Sequence, residues 1–312
     1  MKGSAPETRP VAVDAMGGDH APGAIVEGAL RAAAEGLPVV LVGDRARLSR
    51  LPGVDGLDVV HAPDVVPMDA TALQGLRDHP DSSIHHTLRL VAEGAACAAV
   101  SCGNSGALVV EGVRTLHPLA GVDHVALAVD VPVPAGGRLV LLDIGATVEP
   151  RPEHLVGFAR LGLAWARGRG IAEPRLGVLS NGEERSKGTI RVRETLELAA
   201  QAGLDLRPVE PGPAMAGAVD VAVTDGFVGN IVLKTIEATA EVARRLLQAG
   251  GGAQEHPLSW RSYGGAMLLG VDGVVVVGHG RAGPGAVLSA IRLAHRAAAE
   301  DHVGRLTALL SD

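Results

Sequence analysis

Short, continuously apolar runs recur along this chain, each ending in a polar or glycine-bearing turn and most followed by a stretch with helical patterning. Nine of them read as strands, at residues 11–14, 39–42, 57–61, 96–101, 125–129, 139–143, 175–179, 219–224 and 274–277. Between them, residues 24–34, 83–93, 105–117, 153–167, 189–202, 230–249 and 285–299 read as helices. The apolar runs do not alternate with polar residues, so both faces of each strand are expected to be covered. That combination predicts an α/β fold, a three-layer α/β/α arrangement around a mainly parallel sheet. The glycine- and proline-rich stretches 132–137, 208–217 and 250–257 read as loops, none long enough to mark a domain boundary. One two-lobed α/β/α unit over residues 1–312 is the expectation, with the polar segment 1–10 as a disordered tail.

Hydrophobic residues make up 47% of the 312, enough for a sizeable core, but aromatics are only 2%. Val, Leu, Ile and Ala must therefore fill that core. A net charge of −7, with no basic stripe carrying interleaved aromatics, argues against nucleic-acid binding. Residues 1–10 lack the apolar stretch of a secretion signal, and no run of about 18 apolar residues predicts a membrane span. A cytoplasmic protein is expected. Cys97 and Cys102 read either as a metal pair or, in better accord with such a compartment, as reduced and partly buried thiols. His79, His85 and His86 form the one histidine cluster, and its spacing does not match a standard zinc site.

The charge inventory is lopsided. Of 28 basic residues, only Lys2, Lys187 and Lys234 are lysine. Lys187 and Lys234 fall in the glycine-bearing segments 182–188 and 225–234. Lysine supplies a compact point charge where arginine supplies a planar fork, and lysine beside glycine-rich backbone is a common phosphate-holding arrangement. The bland alternative is two solvent-facing lysines retained by chance. In open α/β sheets ligands bind beyond the carboxyl ends of the strands. Six strand ends here carry small residues beside Asp, Asn, Ser or His: Asp14 to His20 with Gly17, Gly18 and Asp19; Ser101 to Ala107 with Gly103, Asn104, Ser105 and Gly106; Asp143 to Thr147; Asn181 to Glu184 with Gly182 and Glu183; Thr224 to Asn230 with Asp225, Gly226 and Gly229; and Gly278 to Gly280 around His279. Together they predict a substrate cleft rimmed by backbone and side-chain donors.

Gly278, Gly280 and Gly283 spell the dinucleotide fingerprint, but no strand with a terminal acidic residue follows the next helix, so nucleotide binding is disfavoured. No phosphate-binding loop ending in Gly-Lys-Ser/Thr and no Gly-x-Ser-x-Gly elbow occurs, which removes ATP chemistry and the usual serine hydrolase.

Seven motifs in order resemble the phosphate acyltransferase (PlsX) family of bacterial phospholipid synthesis. They are Asp14 to Asp19, Ser101 to Ala107, Leu142 to Ala146, Pro152 to Leu155, Gly182 to Gly188, Asp225 to Asn230 with Lys234, and Tyr263 to Ala266 through His279-Gly280. The resemblance implies a fold similar to isocitrate and isopropylmalate dehydrogenases and phosphotransacetylases, a homodimer, and no cofactor. It implies an enzyme moving an acyl group from an acyl carrier protein thioester to inorganic phosphate. On that reading Lys187 and Lys234 hold phosphate, and Asn104, Ser105 and Asn230 donate hydrogen bonds. Asp14, Asp19 and Asp225 orient the lysines or the turn backbones, and His279 either protonates the leaving thiolate or is structural.

Three stretches depart from the family pattern. The segment before Ser82 and Ser83, a pair expected at the substrate, holds Arg77 as its one firm cation. The usual His-Gly-Ser-Ser reads His279-Gly280-Arg281-Ala282, and the region from Lys234 to Tyr263 is short, which leaves membrane contact open. Two rivals remain: a phosphotransacetylase-like enzyme using acyl-CoA, and a non-catalytic relative that binds a carrier-bound acyl group.

Overall fold

The computed structural model describes residues 9–134, 137–184, 186–249 and 264–311. In chain order the first elements are β1 (Val11–Asp14), α1 (Gly23–Ala34), β2 (Val39–Gly43), α2 (Arg45–Leu48) and β3 (Asp58–His61). Next come α3 (Ala72–Asp78), α4 (Ser83–Ala92), β4 (Ala98–Ser101), α5 (Ser105–Leu116), β5 (Ala126–Pro132) and β6 (Arg138–Leu142). They are followed by α6 (Pro152–Gly168), β7 (Leu176–Leu179), α7 (Ile190–Gln201), β8 (Leu206–Val209), α8 (Pro211–Met215), β9 (Val221–Val223) and α9 (Gly226–Ala249). The last are β10 (Ala266–Leu269), β11 (Val275–Val277), α10 (Pro284–Ala299) and α11 (His302–Ser311).

The described residues gather into two compact units, one within Met1–Leu119 and Arg261–Gly304, the other within Ala120–Trp260 and Arg305–Asp312. In the first unit the strand order is β3-β2-β1-β4-β11-β10, all parallel except β10, which runs antiparallel to β11. Val11 and Val13 of β1, Leu41 of β2 and Val275 and Val276 of β11 are all but sealed from solvent. Ala12, Val40 and Val42 pack with Leu90 and Val91 around α4. Helices α1 and α10 pair with each other, and so do α4 and α5, and members of both pairs cover the strands. Burial on both faces is the reason the strands read as unbroken apolar runs.

In the second unit the order is β5-β6-β9-β7-β8, with β5 antiparallel to β6 and the rest parallel. The cores are aliphatic, as the scarcity of aromatics requires; Phe158 of α6 is the aromatic among the largest fully buried side chains.

All nine expected strands are present, with ends shifted by no more than three residues. The stretch 208–217, expected as a loop, instead holds the end of β8 and helix α8. Pro208 is tolerated because β8 is the outer strand on that side, and Pro211 stands in the first turn of α8, where no N–H is needed. Pro132 of the expected loop 132–137 closes β5. Strand β10 and helices α2, α3 and α11 also go beyond the expected elements. Helix α9 starts at Gly226, four residues earlier than expected, so Gly226 and Gly229 are helical rather than part of a turn. The loop 250–257 and Tyr263 lie outside the described residues.

Candidate functional site

In the first unit three of the glycine-bearing turns share one edge. Asp14 is level with Ser101, and Ser101 with Val277, so the turns after β1, β4 and β11 leave the sheet together. Asp14 is fully buried. Its Oδ1 accepts the N–H groups of Met16 and Gly17, both at 3.1 Å, and its Oδ2 accepts the Ser101 hydroxyl at 2.6 Å. Burial raises its pKa, and Ser101 and the turn amides oppose that shift. Asp14 therefore shapes the turn rather than facing a ligand. Gly17 is pressed against Gly103: a Cβ at Gly17 would stand 2.7 Å from the Gly103 Cα. The Asp19 N–H donates to Gly280 O at 2.8 Å, tying the first turn to the third, while Gly18 takes a positive φ of 107° between them.

Asn104 caps α5, its Oδ1 accepting the Ala107 N–H at 3.0 Å. Its Nδ2 donates to Ala70 O at 2.8 Å, with Pro67 O and Met68 O at 3.1 and 3.3 Å. This corrects the expectation of a free donor: the amide fastens the strap 67–70. Ser105 and Gly106, at the start of α5, are exposed. Ser82 and Ser83 are sealed from solvent, another correction. Ser82 caps α4 by accepting the His85 N–H, and the Ser83 N–H donates to Asp64 O. The exposed His279 accepts the Arg281 N–H at Nδ1, 3.2 Å away. A neutral ring in that arrangement carries its proton on Nε2. Gly278 reflects packing rather than nucleotide binding, since a Cβ there would meet Cys102 Sγ at 2.4 Å. Cys97 and Cys102 are both buried, unpaired thiols, and burial, aided by Asp14, pushes Cys102 up to about 12.

In the second unit β6, β9 and β7 are parallel neighbours, so the other three turns also share an edge. Asp143 is fully buried and gathers four backbone N–H groups. Leu127, Gly145 and Ala146 donate to Oδ1 at 2.9, 3.1 and 3.0 Å, and Thr147 donates to Oδ2 at 2.6 Å. Burial raises its pKa against the pull of these amides. The start of α9 rests on this loop. The Gly226 N–H donates to Thr147 O at 2.8 Å, and a Cβ on Gly229 would fall 1.9 Å from Asp143 O. Asn230 leans over the same loop, its Nδ2 lying 3.6 Å from where a Cβ on Gly145 would be.

Asp225 caps α9 by accepting the Val228 N–H at 2.8 Å, and it pairs with Arg191 at 3.5 Å. Of its two expected roles, orienting a lysine or the turn backbone, Asp225 takes the second, and its ion-pair partner is an arginine in the first turn of α7, which only its charge could have signalled. Lys187 is exposed, its stem crossing Gly182, where a Cβ would meet Lys187 Cγ at 2.7 Å. Glu183 beside it is exposed. Lys234 is exposed on α9, and its charge acts on Glu237 one turn further along. Among the described residues neither ammonium lies within ion-pair distance of a carboxylate.

Elsewhere, Glu111 of α5 is sealed from solvent and holds Arg114 through two hydrogen bonds of 2.8 and 2.7 Å, with Thr115 at 2.9 Å and His85 at 2.6 Å. Burial alone would raise its pKa, but these partners together lower it. His154 stacks on His124 with ring centres 3.5 Å apart, against Arg151. Burial, then His124, then Arg151 depress its pKa below the ordinary 6.5. A depressed histidine contributes stability above its unfolded pKa, and that contribution is lost as pH falls through the folded value. Urea unfolding is expected to give a falling midpoint from about pH 7 to about pH 5.5, and a shallower fall in His154→Gln. Equal slopes in the two proteins would show that this ring is not responsible.

Among the described residues no group of three or more His, Cys, Asp or Glu side chains could hold a metal, and no helix is long and apolar enough to cross a membrane. A family model described as a fatty acid synthesis protein matches residues 10–305. Phosphate acyltransferases of Anaeromyxobacter sp. (strain Fw109-5), Pelobacter propionicus and Myxococcus xanthus are each 43% identical to this chain. Those matches span 93%, 91% and 89% of the chain and 87%, 89% and 87% of the relatives. Among solved structures, a phosphotransacetylase from Streptococcus pyogenes matches with a TM-score of 0.65 at 18% identity, covering 94% of this chain and 95% of that one. A branched-chain phosphotransacylase from Enterococcus faecalis V583 gives 0.64 at 16%, covering 92% and 99%. A 4-hydroxythreonine-4-phosphate dehydrogenase from Klebsiella pneumoniae gives 0.58 at 16%, covering 93% and 100%. These likenesses show the expected fold, shared with phosphotransacetylases and with a dehydrogenase. With the family model covering nearly the whole chain and relatives at 43% identity, the chain belongs to the phosphate acyltransferase (PlsX) family of acyltransferase enzymes.

Proposed function

We propose that this chain moves a fatty acyl group from an acyl carrier protein thioester to inorganic phosphate, giving an acyl phosphate for phospholipid synthesis. The observation that carries the proposal is the pair of exposed lysines in the second unit, Lys187 in the turn after β7 and Lys234 in the third turn of α9. Neither is neutralised by a carboxylate at ion-pair distance among the described residues. Two such ammonium groups can strip phosphate of part of its water and aim one oxygen at the thioester carbon.

Phosphate already carries the negative charge of a nucleophile, so no strong base is required. The new bond joins a phosphate oxygen to the acyl carbon, charge builds on the carbonyl oxygen, and the carbon–sulfur bond breaks as that charge collapses. Lys187, Lys234 and the Asn230 amide are assigned to the phosphate and the developing oxyanion. The departing thiolate takes a proton, which water at the exposed edge can supply. Asp143 and Asp225 set the backbone that presents these groups. Support for a homodimer comes from Val242, Leu246 and Leu247, which leave 56%, 69% and 58% of their surface exposed in the second half of α9.

The test is incubation with thioesters of acyl carrier protein and of CoA, with and without inorganic phosphate, followed by mass spectrometry. Phosphate-dependent acyl phosphate from the carrier thioester is the expected product. Product from acyl-CoA alone would make this a phosphotransacetylase-like enzyme. Carrier binding without thioester loss would make it a non-catalytic relative.

A further inference from the structure

At the start of α6, hydrogen-bond donors converge without an acceptor among them. His154 is 8% exposed and lies against two exposed side chains, the ring of His124, with centres 3.5 Å apart, and the guanidinium of Arg151. The Arg151 backbone N–H reaches His154 Nδ1 at 3.2 Å, while Arg151 Nε and Nη2 reach its Nε2 at 3.2 and 3.1 Å. Every one of those arginine groups is a donor. A neutral imidazole has one in-plane lone pair and a guanidinium has none. Whichever ring nitrogen carries the proton, its N–H therefore points at another N–H. A buried side chain is left with a donor that no described group accepts, whereas buried donors in native proteins find an acceptor.

No carboxylate supplies it. Among the described residues none lies within ion-pair distance of Arg151, His124 or His154. Asp123 and Glu153 act on the His154 ring through space, against the charges of His124 and Arg151. The 17-residue helix α6 adds its positive end at the same point. What suits such a corner is an oxyanion with several oxygens, which can accept from the guanidinium and from a ring N–H together.

The sheet sets where this corner stands. Strands β5 and β6 are antiparallel with Ala128 opposite Leu142, so the chain ahead of β5, which holds His124, lies where β6 leaves the sheet. Strands β9 and β7 leave it on the same edge. Three strand spacings of about 4.8 Å separate β5 from β7, so the corner is roughly 14 Å across the sheet from the turn that carries Lys187.

We infer that Arg151, His154 and His124 form a second oxyanion site, one for a phosphate group. Thioesters of acyl carrier protein and of CoA carry a phosphate ester on the pantetheine arm that bears the acyl group, and inorganic phosphate offers the same oxygens. The site itself is independent of the reaction assigned to Lys187 and Lys234; only its use by the acyl donor rests on that reading.

The experiment follows the histidine ring signals by NMR while the full chain is titrated with inorganic phosphate, phosphopantetheine or pantetheine. The signal lost in His154→Gln is that of His154. The His154 and His124 signals are expected to move with at least one of the two phosphates and not with pantetheine, and the His154 pKa to rise, because a nearby anion favours the imidazolium. Arg151→Gln is expected to weaken that binding about tenfold or more, the scale for one charge-assisted hydrogen bond, and Arg151→Lys to restore part of it. Arg167→Gln, in the last turn of α6, leaves it unchanged. Thermal unfolding checks that each variant is folded. In Arg151→Gln, a KM raised for the carrier thioester but not for phosphate assigns the site to the donor's ester, and the reverse assigns it to free phosphate; either upholds the site. If the parent makes no acyl phosphate, the reaction assignment fails and the ring titration still decides the site. Ring signals that stay in place with both phosphates overturn the inference, and so does equally tight binding in Arg151→Gln.

Discussion

Lys234→Ala lowers turnover of the acyl donor at saturating phosphate by about a hundredfold or more, and Lys187→Ala does the same. That is the scale for losing one preorganised group that stabilises charge formed in the transition state. Both side chains are exposed and free of carboxylate partners at ion-pair distance among the described residues, so removing either leaves the fold within about 0.5 kcal/mol of the parent. The loss should therefore appear in rate and in phosphate KM, not in unfolding. Arginine at either position restores charge but not shape. A planar guanidinium fork cannot occupy the same point as a compact ammonium, so only part of the rate should return. Acyl phosphate formation within about threefold of the parent in both alanine variants would remove these lysines from the chemistry.

The second large effect falls on stability. Asp143→Ala takes the acceptor away from the N–H groups of Leu127, Gly145, Ala146 and Thr147 at once. Leaving a buried donor unpaired costs about 1–3 kcal/mol, so a loss of at least about 3 kcal/mol is expected after water reaches some of the four. Set against a typical total of about 5–15 kcal/mol, that is a large fraction. Asp143→Asn should lose less, because the amide oxygen still accepts while its NH₂ faces donors. Guanidinium unfolding gives the number directly, and a loss under about 1 kcal/mol for the alanine variant would show that the loop has other support. Activity falls too, since the start of α9 rests on the same loop.

What could be read from the residues follows from the range of the forces involved. Doubly buried strands need apolar side chains at every position, so Val11–Asp14 and Val39–Gly43 announce themselves. Strand β10, Ala-Met-Leu-Leu, uses good helix formers and is a strand only because β11 lies beside it. Strand β8 contains a proline that its outer position excuses. Helix α8, Pro-Gly-Pro-Ala-Met, has a composition that elsewhere makes a turn. At the site, the lysines and glycines were visible because charge and backbone freedom are local properties. The pairing of Arg191 with Asp225 and the grip of Asn104 on residues 67–70 are not local, and nothing near either residue encodes them.

Asn104 has a consequence of its own. With its oxygen capping α5 and its amide committed to carbonyls of residues 67–70, one side chain fastens two segments of main chain. Replacing it by alanine therefore loosens a helix start and a distant strap together, so a single change moves backbone in two places.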